Sequence, residues 1–384
     1  MIIGIDYTAA ARQGAGIGRY TRELISALLA LESAHQYVIF AATGGLEPGT
    51  WEPQPGPNVH LRTLPLTDEW LARLWHRLRL PIPVEFVTGL LDVFYSPDFV
   101  LPPTRRATRT LLTVHDLSFM HYPEAFVPPL RRYLERVVPR SIARADLVLA
   151  DSAHTRSDIV SLFNAPPDKV QVLYSGVHSR FCPEPAPGER ERLRERYNIG
   201  DQPYILSIGT VQPRKNYVRL IQAFAHLQTC KPANLQLLIG GGRGWLYQDI
   251  FAEAEKHGDC VRLLGFVDDA DLPALYRNAA LFAFPSLYEG FGLPVLEAMA
   301  CGLPVVCSNG SSLPEVAGDA ALLVDPHDTG ALAQAMARAL EDADLRREMI
   351  ERGFAQAGRF TWEQSARQLL AAFDAVRLVP PAHP

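Results

Sequence analysis

At 384 residues, with 48% hydrophobic and 21% charged residues and a mean hydropathy of -0.01, the chain has a globular composition and exceeds what one ordinary hydrophobic core holds. Residues 1–180 hold 18 Lys+Arg and 17 Asp+Glu, leaving 19 and 25 of the totals of 37 and 42 for the rest, so the two parts carry +1 and -6 of a net charge of -5. That balance excludes a nucleic-acid surface by composition, and no apolar run approaches the roughly 20 residues that span a bilayer.

The opening "MIIGIDYTAAAR" lacks a basic leader and meets Asp6 early, so it reads as a buried strand and not a signal peptide. Short Val/Ile/Leu runs then alternate with longer amphipathic segments, the pattern of parallel sheets covered by helices. Strands are expected at 1–6, 37–42, 59–64, 109–114, 146–150 and 170–174, and again at 204–209, 235–240, 261–264, 281–284, 304–307 and 321–324. The reading is two six-strand, doubly wound, Rossmann-like domains. They cover 1–180 and 204–361, with the Pro-rich and then charged stretch 181–203 as a linker. Residues 362–378 have helical spacing and read as a docking helix, and "VPPAHP" as a frayed end. The segment 67–81 suits either a buried helix or one lying on an anionic membrane. Cysteines 182, 230, 260, 301 and 307 are odd in number and lack a C-x-x-C pair, which points to a reducing cytoplasm without disulfides or a zinc site.

Ligands of doubly wound sheets sit beyond the carboxyl ends of the strands, so the residues just after each strand are the candidates. In "RQGAGIGRYTRE", Gly14, Gly16 and Gly18 precede the first expected helix and admit a phosphate, or serve a steric turn only. The spacing is not G-x-G-x-x-G, and no acid ends the second strand, so nicotinamide chemistry is disfavoured. In "GTVQPRKNYVRL", Arg214 and Lys215 precede Asn216, a natural N-cap. Two cations at a helix N-terminus are unfavourable unless an anion joins them, and Arg19 repeats the arrangement in the first domain. A solvated basic turn is the plainer alternative.

In "LYEGFGLPVLEAMACGLPVV", the loop Glu289-Gly290-Phe291-Gly292 leads to Leu293 and Pro294, the latter suited to the first helical position. Amides of Gly292, Leu293 and the first turn would face an anion. Glu297, in that turn, suits a vicinal diol such as a ribose, and Glu289 suits hydroxyls on the other side of the phosphate. Dipole compensation and a solvated loop acid are the simpler roles. His115 and Asp116 follow a strand, where His115 would donate to developing charge, hold a sugar hydroxyl, or bond to backbone. Asp269 and Asp271 read as helix caps.

These motifs resemble family 4 of the retaining nucleotide-sugar glycosyltransferases over nearly the whole chain. The resemblance rests on "GAGIGRY", "TVHDLSF", "ADLVLADSAHTRSDI", "GTVQPRKN" and above all "SLYEGFGLPVLEAMACGLPVV" with its E-x7-E pair. It implies a GT-B fold, two Rossmann-like domains facing across a cleft, with the terminal helix returning to the first. It places Gly16 on the donor phosphates, His115 on the transferred sugar, Arg214 and Lys215 on the diphosphate, Glu289 on the sugar and Glu297 on the ribose. The amides of Phe291 to Leu293 complete the phosphate site. The chain departs from many relatives at Thr210, where they have arginine, and at "SGVH" (175–178), where they read N-G-V-D.

The expected function is transfer of a hexose, with a lean to mannose from GDP-mannose, from a nucleotide diphosphate sugar to a glycan or lipid-linked acceptor with retention. Neither cofactor nor metal is expected. Such an enzyme would be cytoplasmic, with possible peripheral membrane contact. The rival reading is a non-catalytic two-lobed sugar-nucleotide-binding protein.

Overall fold

The computed structural model describes residues 1–14, 16–230 and 234–378, except the side chains of 228–230 and 378. The chain forms two compact units. One comprises Met1–Leu117, Arg132–Gly176 and Thr361–Pro384; the other comprises Ser118–Arg131 and Val177–Phe360.

The first unit is built on a parallel sheet of β1 (Ile2–Asp6), β2 (Gln36–Ala42), β3 (Val59–Leu64), β4 (Val93–Ser96), β5 (Arg109–Val114), β6 (Leu147–Ala150) and β7 (Val170–Val172), in the order β3-β2-β1-β4-β5-β6-β7. It has seven strands where six were expected. The additional one, "VFYS", is four residues long and wholly buried beside β1 and β5; so short an apolar run has no periodicity to read. Central strands are covered on both faces, whereas β3, at the edge, is largely exposed. The helix Trp362–Leu378 packs on the helix Ile17–Ala30 of this unit. Trp362, Ala366, Leu369, Phe373 and Val376 form its buried stripe, Phe373 meets Tyr95 at 5.9 Å, and Ser365 Oγ donates to Tyr174 O at 2.6 Å.

The second unit holds β8 (Tyr204–Ile208), β9 (Gln236–Gly240), β10 (Val261–Gly265), β11 (Leu281–Phe284), β12 (Val305–Ser308) and β13 (Ala321–Val324), all parallel, in the order β10-β9-β8-β11-β12-β13. Strand order reverses between β1 and β4 in one sheet and between β8 and β11 in the other, and these switch points are where ligands of such sheets bind.

Several local readings change. A helix, Thr8–Arg12, stands between β1 and the glycine loop, so that loop joins two helices and not a strand to a helix; Ala9 to Ala11 are strong helix formers. Residues 181–203 contain the helix Glu189–Tyr197, which is part of the second unit and no linker. Its anchor is Asp271, fully buried, which accepts from Arg192 Nε at 2.8 Å, Arg196 NH1 at 2.5 Å and Tyr197 OH at 2.9 Å. Asp271 stands at an N-cap position without capping, because its carboxylate is taken by that helix. Residues 68–77 form a helical turn, Asp68–Leu71, running into a π-helical turn, Ala72–Arg77. Leu71 is buried and Trp70 half exposed, and the segment 67–81 is not one continuous helix. Cys182, Cys260, Cys301 and Cys307 are free thiols; the Cys230 side chain and the end expected to fray, 379–384, lie outside the described residues.

The Asp271→Ala substitution is expected to cost about 2 kcal/mol or more, since three donors lose a charged acceptor. A urea melt reads this, and a change within about 0.5 kcal/mol, the range of ordinary surface substitutions, would show that the helix Glu189–Tyr197 is held otherwise.

Candidate active site

At the switch point of the second sheet, the loop after β8 carries Arg214 and Lys215 on a 3-10 turn, Pro213–Lys215, that ends at Asn216 in the left-handed region (φ 60°). Asn216 Nδ2 donates to Pro285 O at 3.0 Å and Pro326 O at 2.7 Å, so the side chain read as an N-cap instead ties this turn to the loop after β11. The two loops are also joined by Leu287 N donating to Arg214 O at 2.9 Å.

Glu289 is clamped between the two cations. Lys215 Nζ lies 2.6 Å from Oε1 and Arg214 NH1 lies 2.9 Å from Oε2, and Arg214 NH1 also donates to Tyr288 O at 2.5 Å. Lys215 and Glu289 are 8% and 7% exposed, which rules out a solvated basic turn and a solvated loop acid alike. The Lys215 ammonium further sits 4.7 Å from the Phe284 ring centroid. Burial opposes ionisation of Glu289, but Arg214 and Lys215 outweigh it and hold the carboxyl down at about 2. The anion that the basic pair called for is therefore supplied by the protein, and two cations against one carboxylate leave a surplus positive charge.

The loop backbone is set by Ser311 and Ser312. Glu289 N donates to Ser311 Oγ at 2.9 Å, and Ser312 Oγ bonds the carbonyls of Glu289 at 2.9 Å and Phe291 at 2.7 Å. Gly290, Phe291 and Gly292 are buried, with Phe291 edge-on to Phe360 at 5.6 Å. Gly292 caps the helix Leu293–Ala300 at φ 119°, a backbone conformation that strains any residue with a β-carbon, which would also meet Leu313 Cδ2 at 2.7 Å. Leu293 is the first helical residue and Pro294 the second, one position later than expected. Glu297 consequently falls beyond the first turn; it is 2% exposed and accepts from Tyr276 OH at 3.0 Å.

In the first unit, Gly16 caps the helix Ile17–Ala30 at φ 58°, and Arg19, in its first turn, is 8% exposed. His115 follows β5 and is buried, and Tyr20 of the same helix meets its ring edge-on at 4.8 Å. Both of its nitrogens face acceptors: Nδ1 is 2.7 Å from Asp151 Oδ2 and Nε2 is 2.7 Å from Pro97 O. A carbonyl can only accept, and an ionised carboxylate likewise, so the ring is an imidazolium donating twice. Burial disfavours that charge, yet Asp151, Asp98 and the Pro97 carbonyl push His115 up to about 9. The structure thus realises the backbone-bonded reading of His115, with Asp151 as an added partner. Asp151 was overlooked in the sequence although it directly follows β6, where the same carboxyl-end rule applies.

Two further side chains were missed. His121 stacks on Tyr288 (5.0 Å, 19°), and Trp245 Nε1 donates to Ala125 O at 2.6 Å, so the segment 118–131 lies over the loops after β9 and β11. No periodicity marks that segment. Among the described residues, no group of three His, Cys, Asp or Glu is arranged to hold a metal.

Two parallel-sheet Rossmann-like units are the architecture of the GT-B glycosyltransferases. The chain belongs to glycosyltransferase family 4. Its residues 14–181 match the family described as Glycosyltransferase Family 4, and 189–356 match Glycosyl transferases group 1. It is 36% identical over 374 residues to the O-antigen chain mannosyltransferase B of Escherichia coli, covering 93% of this chain and 95% of that protein. Among solved structures it is similar in fold to a sucrose-phosphate synthase from Thermosynechococcus elongatus (TM-score 0.76, 23% identity, 98% and 99% of the two chains). It is likewise similar to Anabaena Alr3699/HepE in complex with UDP and glucose (TM-score 0.72, 19% identity, 97% and 99%).

A histidine raised from 6.5 to about 9 contributes stability fully present below pH 6.5 and lost as pH rises through 9. The melting-temperature gap between the native chain and His115→Gln is therefore expected to narrow across that window. A gap constant from pH 6.5 to 9 would contradict the imidazolium assignment.

Proposed function

We propose that this glycosyltransferase moves mannose from GDP-mannose to a glycan or lipid-linked acceptor with retention of configuration. The carrying observation is the buried Arg214–Glu289–Lys215 cluster at the second sheet's switch point, with its surplus positive charge. A nucleoside diphosphate is the anion this reading brings there, the amides around Gly292 and Leu293 adding donors. Mannose and a polysaccharide acceptor are supported by the name of the Escherichia coli relative, and a nucleotide-sugar donor by the UDP and glucose bound to the Anabaena protein.

In this reading the bond between the anomeric carbon and the diphosphate oxygen breaks and its electron pair passes to the diphosphate. Arg214 and Lys215 meet the negative charge as it grows. The acceptor oxygen attacks from the same face, and its proton passes to the departing phosphate. Both Glu289 oxygens are engaged by cations and the carboxylate stays ionised, which suits it to orient sugar hydroxyls and not to act as acid or covalent nucleophile. Side-chain cations take the neutralising part, so the reading calls for neither metal nor cofactor.

The Lys215→Met substitution tests this. Glu289 keeps Arg214, so stability should fall by only about 1–2 kcal/mol, while turnover of GDP-mannose falls at least about 100-fold. NMR of the product should show the donor's anomeric configuration. Turnover reduced no more than stability, or an inverted product, would contradict the proposal.

A further inference from the structure

The first unit exposes an apolar ridge that the reaction does not use. Of thirteen large apolar side chains exposed among the described residues, five fall between positions 70 and 90. Leu78, Phe86 and Leu90 are 66%, 73% and 69% exposed, Ile82 46% and Trp70 50%. Positions 78, 82, 86 and 90 follow at intervals of four. Phe86 lies on a single helical turn, Glu85–Thr88; Leu78 directly follows the π-helical turn Ala72–Arg77, and Ile82 and Leu90 lie on the connections beside these turns. Trp75 packs on Phe40 of β2 at 6.1 Å and donates from Nε1 to Ile82 O at 3.0 Å, while Glu85–Thr88 packs beside β2 and β3. The connections that carry Leu78 and Ile82 are tied to the π-helical turn by Leu78 N donating to Arg73 O at 2.8 Å and by the Trp75 bond to Ile82 O. An apolar set of this kind, standing proud at one edge, costs solubility and marks a docking surface.

Charge identifies the occupant. The four acids in and flanking this stretch, between positions 68 and 92, are taken within the chain. Asp68 pairs with Arg12 at 2.9 Å and Glu69 with Arg73 at 3.7 Å. Glu85 accepts from Arg105 N at 2.9 Å and Thr108 Oγ1 at 2.6 Å, and Asp92 accepts from Ile2 N at 2.7 Å. The bond from Arg105 N to Glu85 holds the backbone at Arg105 to the helical turn that carries Phe86. Arg77, Arg79, Arg105 and Arg106 are exposed and join no ion pair among the described residues. Four uncompensated guanidiniums around exposed Leu, Ile and Phe side chains match a bilayer with anionic headgroups: the side chains enter the acyl boundary and the arginines meet phosphate. Arg73, 4.8 Å from the Trp70 ring centroid, adds an amphipathic pair of the kind that sits at headgroup depth. No helix of the described residues is long and apolar enough to cross a membrane, so such contact would be at the surface.

We infer that residues 70–90, with Arg105 and Arg106, dock the first unit on an anionic lipid surface. The inference does not depend on which sugar is transferred. The full chain is to be sedimented with phosphatidylcholine vesicles containing or lacking about 30% phosphatidylglycerol. Binding is expected to favour the anionic vesicles by at least about tenfold. Arg105→Gln/Arg106→Gln should remove most of that preference. Phe86→Ser/Leu90→Ser should weaken binding to anionic vesicles about tenfold, both variants keeping the native melting temperature. Independently of those variants, vesicles should blue-shift the emission that is lost in Trp70→Phe. Absence of binding to anionic vesicles, or variants that bind like the native chain, would overturn the inference. So would a concentration-dependent dimer abolished by Phe86→Ser, which would give this face to a second copy of the chain.

Discussion

The site in the second unit depends on one carboxylate remaining ionised where water scarcely reaches it. Burying Glu289 alone would cost several kcal/mol and would be relieved by protonation. Arg214 and Lys215 on its two oxygens remove that escape, and Tyr288, Asn216 and Ser312 fix the two loops that carry them. The result is a set of charges already in place, with little reorganisation left when further negative charge arrives. That is the condition under which electrostatic stabilisation of a leaving group is most effective.

The first unit solves a related problem with opposite sign. Its buried charge is a cation, His115, and the compensation comes from Asp151 and a backbone carbonyl. In both sheets the chemistry sits just beyond the carboxyl ends of strands. The reason is mechanical: strands buried on both faces are rigid and monotonously apolar, while the loops after them are held firmly at one end and can carry polar groups.

Much of this was legible in the sequence because it is local. Twelve strands showed as apolar runs, and the basic pair and the E-x7-E loop stood out by residue type and position after a strand. What escaped was non-local. The strand Val93–Ser96 is too short to announce itself, and its place at the centre of the sheet exists only through its pairing with β1 and β5. Asp271 looks like a cap until the helix Glu189–Tyr197 folds against it and takes its carboxylate. The pairing of Glu289 with Lys215 spans 74 positions, and that of His115 with Asp151 spans 36. Residue types suggested an external anion for the basic pair; only the fold shows that the chain itself brings one.

The account is tested most directly by calorimetric titration of GDP and of guanosine into the native chain and into Arg214→Met. If surplus positive charge beside Glu289 grips the diphosphate, GDP binds the native chain at least about tenfold more tightly than guanosine, a difference of about 1.4 kcal/mol or more, and that advantage shrinks in the variant. Equal affinities for GDP and guanosine, or an advantage untouched by losing the guanidinium, would contradict it.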